Sequence, residues 1–257
     1  MRQEEASGGK SGMGNPATEP IPVFSNKWFW PDLVERRDNT ARAIVGPHLH
    51  DHQFSQYMDP FILVLLAATA AYIVNGKQQR QRIALLSEHL QPFQVEKQIE
   101  TLTQGYLRAM GEQDDERRRQ ILSLLEDSEQ VLVGQFGRFC TSFQKVSEPQ
   151  ARVSRLPVSL PFATQLLASN CFDMRQMLSV HGKGLERVAR NDAALSPRDK
   201  AFMMTAEILL MQHSCHWFCK SKSVASARML ARNKTPHEQL VQSVSPETRA
   251  AYKALVG

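Results

Sequence analysis

The sequence predicts an all-α protein: a single transmembrane helix followed by a multi-helix cytoplasmic domain. Three observations predict it. Residues Pro60 to Gly76 form a 17-residue run without a charge, bounded by Asp59 and Lys77. Beyond that run, apolar residues recur at helical steps of three, four and seven, and no stretch alternates apolar and polar residues as a strand would. Finally, Ser196-Pro197, Thr235-Pro236 and Ser245-Pro246 each place a hydroxyl at an N-cap with Pro at the first helical position, and Glu238 completes a capping box with Thr235.

Composition bounds the alternatives. With 257 residues, 42% hydrophobic, 22% charged and only four cysteines, the chain is neither collagen-like, nor wholly disordered, nor a disulfide-built miniprotein. Its net charge of +5 is unevenly placed. Residues 1–76 hold six Lys/Arg against eight Asp/Glu, a net of −2, whereas residues 77–257 hold 25 against 18, a net of +7.

In chain order, residues 1–21 are polar and rich in Gly, Ser, Pro and Glu, with no apolar stretch of the kind a cleavable signal carries, and read as a disordered tail. Residues 22–58 form an extramembrane segment with an aromatic cluster around Trp28 and Trp30 and the run His48-Leu-His50-Asp-His52. Residues 59–77 are assigned to the membrane span, at the short end of the usual length. Arg42 is the one Lys or Arg shortly before the span, while Lys77, Arg80 and Arg82 follow it, so residues 78–257 are expected in the cytoplasm and the inner (cytoplasmic) membrane is the expected location. A central core helix of a soluble protein is the competing reading of the same run.

Residues 79–90 continue the apolar helix until Pro92 stops it. A second helix over 94–110 carries Val95, Ile99, Leu102, Tyr106 and Met110, and a third over 113–145 carries Ile121, Leu125, Leu132, Phe136, Phe139 and Phe143. Pro149, Pro157 and Pro161 mark residues 146–161 as the best internal boundary.

Few constellations suggest chemistry. His48, His50 and His52 are suitable metal ligands, but a solvated or membrane-proximal His cluster is the simpler reading. Cys215 and Cys219 continue the apolar stripe of Met204, Ile208 and Met211 and read as core cysteines. His181-Gly-Lys-Gly184 superficially suggests a phosphate-binding turn, yet the periodicity of Met174, Met177, Leu178, Leu185 and Val188 around it is helical. The chain lacks a P-loop, a dinucleotide-binding glycine fingerprint, a nucleophile elbow and a His-Glu-x-x-His motif. No catalytic residue, metal site or cofactor is therefore expected.

What stands out is a basic surface. Residues 145–234 hold 14 Lys/Arg against six acids, a net of +8. Arg175, Lys183, Arg187 and Arg190 are expected on one helix surface, with Lys220, Lys222, Arg228 and Arg232 on the next elements, as a site for an acidic partner. The expected function is a non-enzymatic, membrane-anchored scaffold or adaptor subunit that binds a protein partner in a membrane complex, an architecture of the kind found in bacterial secretion or conjugation assemblies. The alternative is a soluble helical protein that binds nucleic acid or an acidic protein, with residues 60–76 as a core helix. Nucleic acid is the less favoured partner, because the basic residues are not interleaved with aromatics.

Overall fold

The longest helix, α1 (Pro60–Leu90, 31 residues), begins the part of the chain that the computed structural model describes, residues 60–257. Pro60 stands at its first position, where a missing N–H costs nothing, and the Ala- and Leu-rich interior contains no further Pro. The helix has two unlike halves. Every residue from Phe61 to Ala70 is exposed. After Gly76, Gln79, Arg82, Leu86 and Leu90 recur at steps of three and four and turn inward, with Leu86 and Leu90 buried, while Lys77, Arg80, Ala84 and Glu88 face solvent. The expected continuation of the apolar helix as far as Leu90 is therefore present.

Helices α2 (Val95–Gly111) and α3 (Asp115–Phe143) pack along each other, joined by a short connection that turns the chain back. Asp114 caps α3 by accepting from the backbone N–H groups of Glu116 and Arg117. The expected stripes are the buried faces: Val95, Ile99, Leu102 and Tyr106 on α2, and Leu125, Leu132, Phe136, Phe139 and Phe143 on α3. Met110 and Ile121 lie at the edge of the core.

The Pro-rich segment holds the one departure from an all-helical pattern among the described residues. Helix α4 (Glu148–Ala151) leads into β1 (Arg152–Ser154), which pairs antiparallel with β2 (Cys171–Asp173) in the register Arg152 to Asp173, Val153 to Phe172 and Ser154 to Cys171. Three residues per strand are too few to show alternation, so the ladder left no readable period in the sequence. Between the strands run α5 (Ala163–Leu166) and a 3-10 turn at Ala168–Asn170. Val153 and Phe172 join the same hydrophobic core as Leu86 and Tyr252.

The remaining helices are α6 (Met174–Arg190), α7 (Pro197–Cys219), α8 (Lys222–Asn233), α9 (His237–Ser243) and α10 (Pro246–Val256). Helix α7 is the centre of the domain: it touches α1, α3, α6, α8 and α9, and from Met204 to Cys215 every residue is buried. Ser196 and Ser245 cap α7 and α10 as expected, and Ser221 caps α8. The Thr235 capping box does not form. Pro236 is itself the N-cap of α9, which puts Thr235 one residue too early, and its hydroxyl donates to the Asn233 carbonyl instead.

Phe136, Phe139, Phe143 and Phe218 form a ladder with successive ring centroids 5.6, 5.9 and 5.8 Å apart. Two buried carboxylates in this core are held by polar partners. Tyr106 donates to Glu129 at 2.6 Å, and the Lys200 ammonium meets the other carboxylate oxygen at 2.6 Å. Glu207 accepts from the Ser245 hydroxyl at 2.7 Å and from its backbone N–H at 3.1 Å.

Candidate functional site

The four α6 cations do not form a free positive surface. Arg175 is held by Asp173 at 2.6 Å and donates to the Val146 carbonyl. Arg187 donates to Thr248 at 2.9 Å and lies 3.9 Å from Glu247, and Arg190 meets both Glu186 and Asp192. Lys183 alone projects from this helix as an exposed cation without such a carboxylate among the described residues. Asp173, Glu186 and Asp192 are sequence neighbours of the arginines they meet, whereas Glu247 comes from α10.

The second group of cations lies elsewhere and is differently surrounded. Where α1 leaves its apolar half, Arg82 folds back onto the domain, donating to the carbonyls of Phe218 and Arg152 at 3.2 Å each while its guanidinium covers the Phe218 ring at 5.6 Å. Lys220, just past the end of α7, donates to Gln79 of α1 at 3.0 Å. Lys222 lies over the Trp217 ring at 5.3 Å, and Trp217 is fixed by donating its indole N–H to the Ser154 carbonyl at 3.0 Å. Among the described residues, the partners of Lys220 and Lys222 are thus an amide and a ring rather than carboxylates.

Arg228 and Arg80 add to the same field. Partial burial pushes the Lys220 ammonium below its ordinary pKa, and the positive charges of Arg228 and Arg80 push it further in that direction. His216, on the same side of α7, is lowered to about 4 by burial and then by Arg228 and Arg232. Lys220 thus sits in the positive field of Arg228 and Arg80, a setting that an external anion relieves. Arg80 belongs to this cluster although it lies far outside residues 145–234, four residues past the uncharged block.

Beside the cluster is a crevice of about 30 Å³ between α1 and the β1–α5 connection, lined by Gln78, Gln79, Arg82, Ser159, Lys220 and Ser221. It has room for a water or two and for no organic substrate. The chain matches no protein-family model, no curated protein and no solved structure. What it does therefore rests on its own geometry.

The other constellations fall in place as core. Cys215 and Cys219 are buried; burial raises Cys215 and pushes Cys219 up to about 12, so both are thiols and poor metal ligands at neutral pH. His181 to Gly184 lie within α6, and His181 is fully buried with its Nε2 2.8 Å from the Ser214 hydroxyl. Among the described residues no group of three or more His, Cys, Asp or Glu is arranged to hold a metal. His48, His50 and His52, and the aromatic segment at Trp28 and Trp30, lie outside the described residues. Phe61–Leu90 is the one helix among them long and apolar enough to cross a membrane, and none of its most apolar window is buried against the domain.

Proposed function

We propose that this protein is a non-enzymatic, membrane-anchored adaptor: α1 spans the inner (cytoplasmic) membrane once, residues 78–257 lie on the cytoplasmic side, and the basic cluster at the exit of the span captures an acidic protein partner in a membrane assembly. One observation carries the reading. An exposed apolar helix half leads directly into a group of cations, Arg80, Lys220, Lys222, Arg228 and Arg232, that includes side chains such as Lys220 and Lys222 held by neutral groups. An apolar helix exposed over ten consecutive residues, Phe61 to Ala70, has its driving force for burial unsatisfied by the described residues. Lipid supplies it. That exposure argues against the soluble alternative, in which residues 60–76 form a core helix.

Orientation follows from Lys77, Arg80 and Arg82 after the span against Arg42 before it. Of the α6 residues, Lys183 is an exposed cation, while Arg175, Arg187 and Arg190 act mainly within the fold. Crosslinking of the full chain in native membranes tests the proposal. Charge reversal by Lys220→Glu with Arg228→Glu should abolish the crosslinked partner, and Glu186→Gln should not. Capture that survives the double reversal at unchanged yield, in protein with unchanged helicity, overturns the adaptor reading.

A further inference from the structure

A second apolar element stands beside the exit of α1. From Leu156 to Phe172 the chain is again free of charge for 17 residues, bounded by Arg155 and Asp173. Phe172 at its end joins the core, but before it five large apolar side chains turn outward: Leu166 is 77% exposed, and Val158, Leu160, Phe162 and Leu167 between 43% and 54%. Five exposed large hydrophobes within ten residues form an apolar patch that no helix of the described chain covers.

The patch is pinned at a definite height on α1. Asn75 and Ser159 exchange two hydrogen bonds: the Asn75 amide donates to the Ser159 carbonyl at 3.3 Å, and the Ser159 hydroxyl donates to the Asn75 amide oxygen at 2.6 Å. The backbone N–H of Phe162 is 3.4 Å from the side-chain oxygen of Gln78. On the other side, Ser223 at the start of α8 donates its N–H to the Pro157 carbonyl at 3.0 Å. The residues that hold the loop, Asn75 and Gln78, straddle the end of the uncharged block at Gly76.

Length makes that height meaningful. Seventeen residues of α-helix cover about 25 Å, and a hydrocarbon core is about 30 Å thick. A span this short brings the lipid boundary up to Gly76 and past it, level with the loop. The loop's backbone suits such a place. Pro157 and Pro161 have no N–H to satisfy, and the N–H groups of Ala163, Gln165, Leu166, Leu167 and Asn170 are all bonded within the segment. Phe162 adopts a left-handed conformation, φ 59°, that bulky residues avoid, and it presents its ring half-exposed at the turn into α5.

We infer that the segment Val158–Leu167 is a second membrane contact, which inserts Val158, Leu160, Phe162, Leu166 and Leu167 into the interfacial region of the leaflet that α1 leaves. The inference rests on the reading of α1 as a span and goes beyond it: the domain is held flat on the bilayer at two points rather than swinging from one. The exposed cations Lys77 and Arg80 then lie at the headgroup level beside it.

The test uses the full chain in liposomes of phosphatidylethanolamine and phosphatidylglycerol, with the photoreactive residue p-benzoylphenylalanine in place of one residue at a time: Leu65 in the span, Phe162 and Leu166 in the loop, and Glu88, exposed on the same helix about 18 Å beyond Gly76. Irradiation followed by mass spectrometry reads lipid adducts. Adducts at Leu65, Phe162 and Leu166 and their loss at Glu88 are the expected result. Adducts at Leu65 with none at Phe162 and Leu166 overturn the loop contact and leave the span standing, and protein adducts at those two positions in place of lipid adducts overturn it too, by assigning the patch to the chain itself or to a second copy. No lipid adduct at Leu65 overturns the span, and the loop contact with it.

Discussion

Acid should weaken this domain, and the buried histidines set by how much. The Ser214 hydroxyl donates to the Leu210 carbonyl, so His181 must donate from Nε2 to Ser214, and its Nδ1 has no hydrogen-bond partner in a fully buried site. A proton added there is an unpaired charge in the core, and burial holds His181 at about 3. His216 is held at about 4 by burial and by Arg228 and Arg232. In the unfolded chain both take up protons near pH 6.5, so below that pH the unfolded state binds more protons than the fold. The stability they carry is present above pH 6.5 and drains as pH falls toward 4 and then 3. At pH 5 each costs about 2 kcal/mol relative to pH 7, about 4 together, with the His216 share a ceiling because its ring keeps some solvent contact. His213 and His237, also lowered first by burial, act in the same direction. Glu207, which burial raises, acts against them, because its protonation favours the fold. Against a total of roughly 5–15 kcal/mol for a typical domain this is a large fraction. Urea titration of the full chain in detergent micelles, followed by far-UV circular dichroism at pH 7 and pH 5, measures it. With a urea slope of about 2 kcal/mol per molar, the midpoint should fall by roughly 2 M. In His181→Met the loss between the two pH values should shrink by about 2 kcal/mol. A midpoint that is equal or higher at pH 5 refutes the reasoning.

Further outcomes are expected of the core. Lys200→Met strands the Glu129 carboxylate, whose remaining partner is the Tyr106 hydroxyl, and should cost about 3–5 kcal/mol in the same titration, whereas the triple change Lys200→Met, Glu129→Leu and Tyr106→Phe should recover most of it. Phe143→Ala removes the ring that bridges Phe139 and Phe218 and should cost about 3–5 kcal/mol, read as a lowered urea midpoint with an unchanged slope. Gly184→Ala puts a Cβ 2.5 Å from both Glu207 Oε2 and Thr248 Oγ1, and should destabilise by about 1–3 kcal/mol while loosening α10, seen as faster amide exchange there.

The helices were legible because their signals agree. Apolar residues at steps of three and four marked the buried faces of α2 and α3, and Ser196-Pro197 and Ser245-Pro246 marked the starts of α7 and α10. The Thr235 start failed by one residue, a distance that decides whether a hydroxyl reaches the first free N–H. The β1–β2 ladder was illegible because its strands are three residues each. For the basic surface, sequence could count cations and acids but not which acid folds onto which cation: Asp173 is two residues from Arg175, but Glu247 reaches Arg187 only because α10 packs on α6. Of the loop at Val158–Leu167, only Val158 to Pro161 fell within the expected Pro-rich boundary at 146–161. That its apolar side chains face outward beside Asn75 is a property of the fold alone.

Everything specific to function depends on where the exposed half of α1 resides. Washing native membranes in alkaline carbonate decides it most directly. The full chain should stay in the pellet through that wash and enter the supernatant only when detergent dissolves the bilayer. Recovery in the carbonate supernatant without detergent would mean that Phe61 to Val74 do not sit among lipid tails.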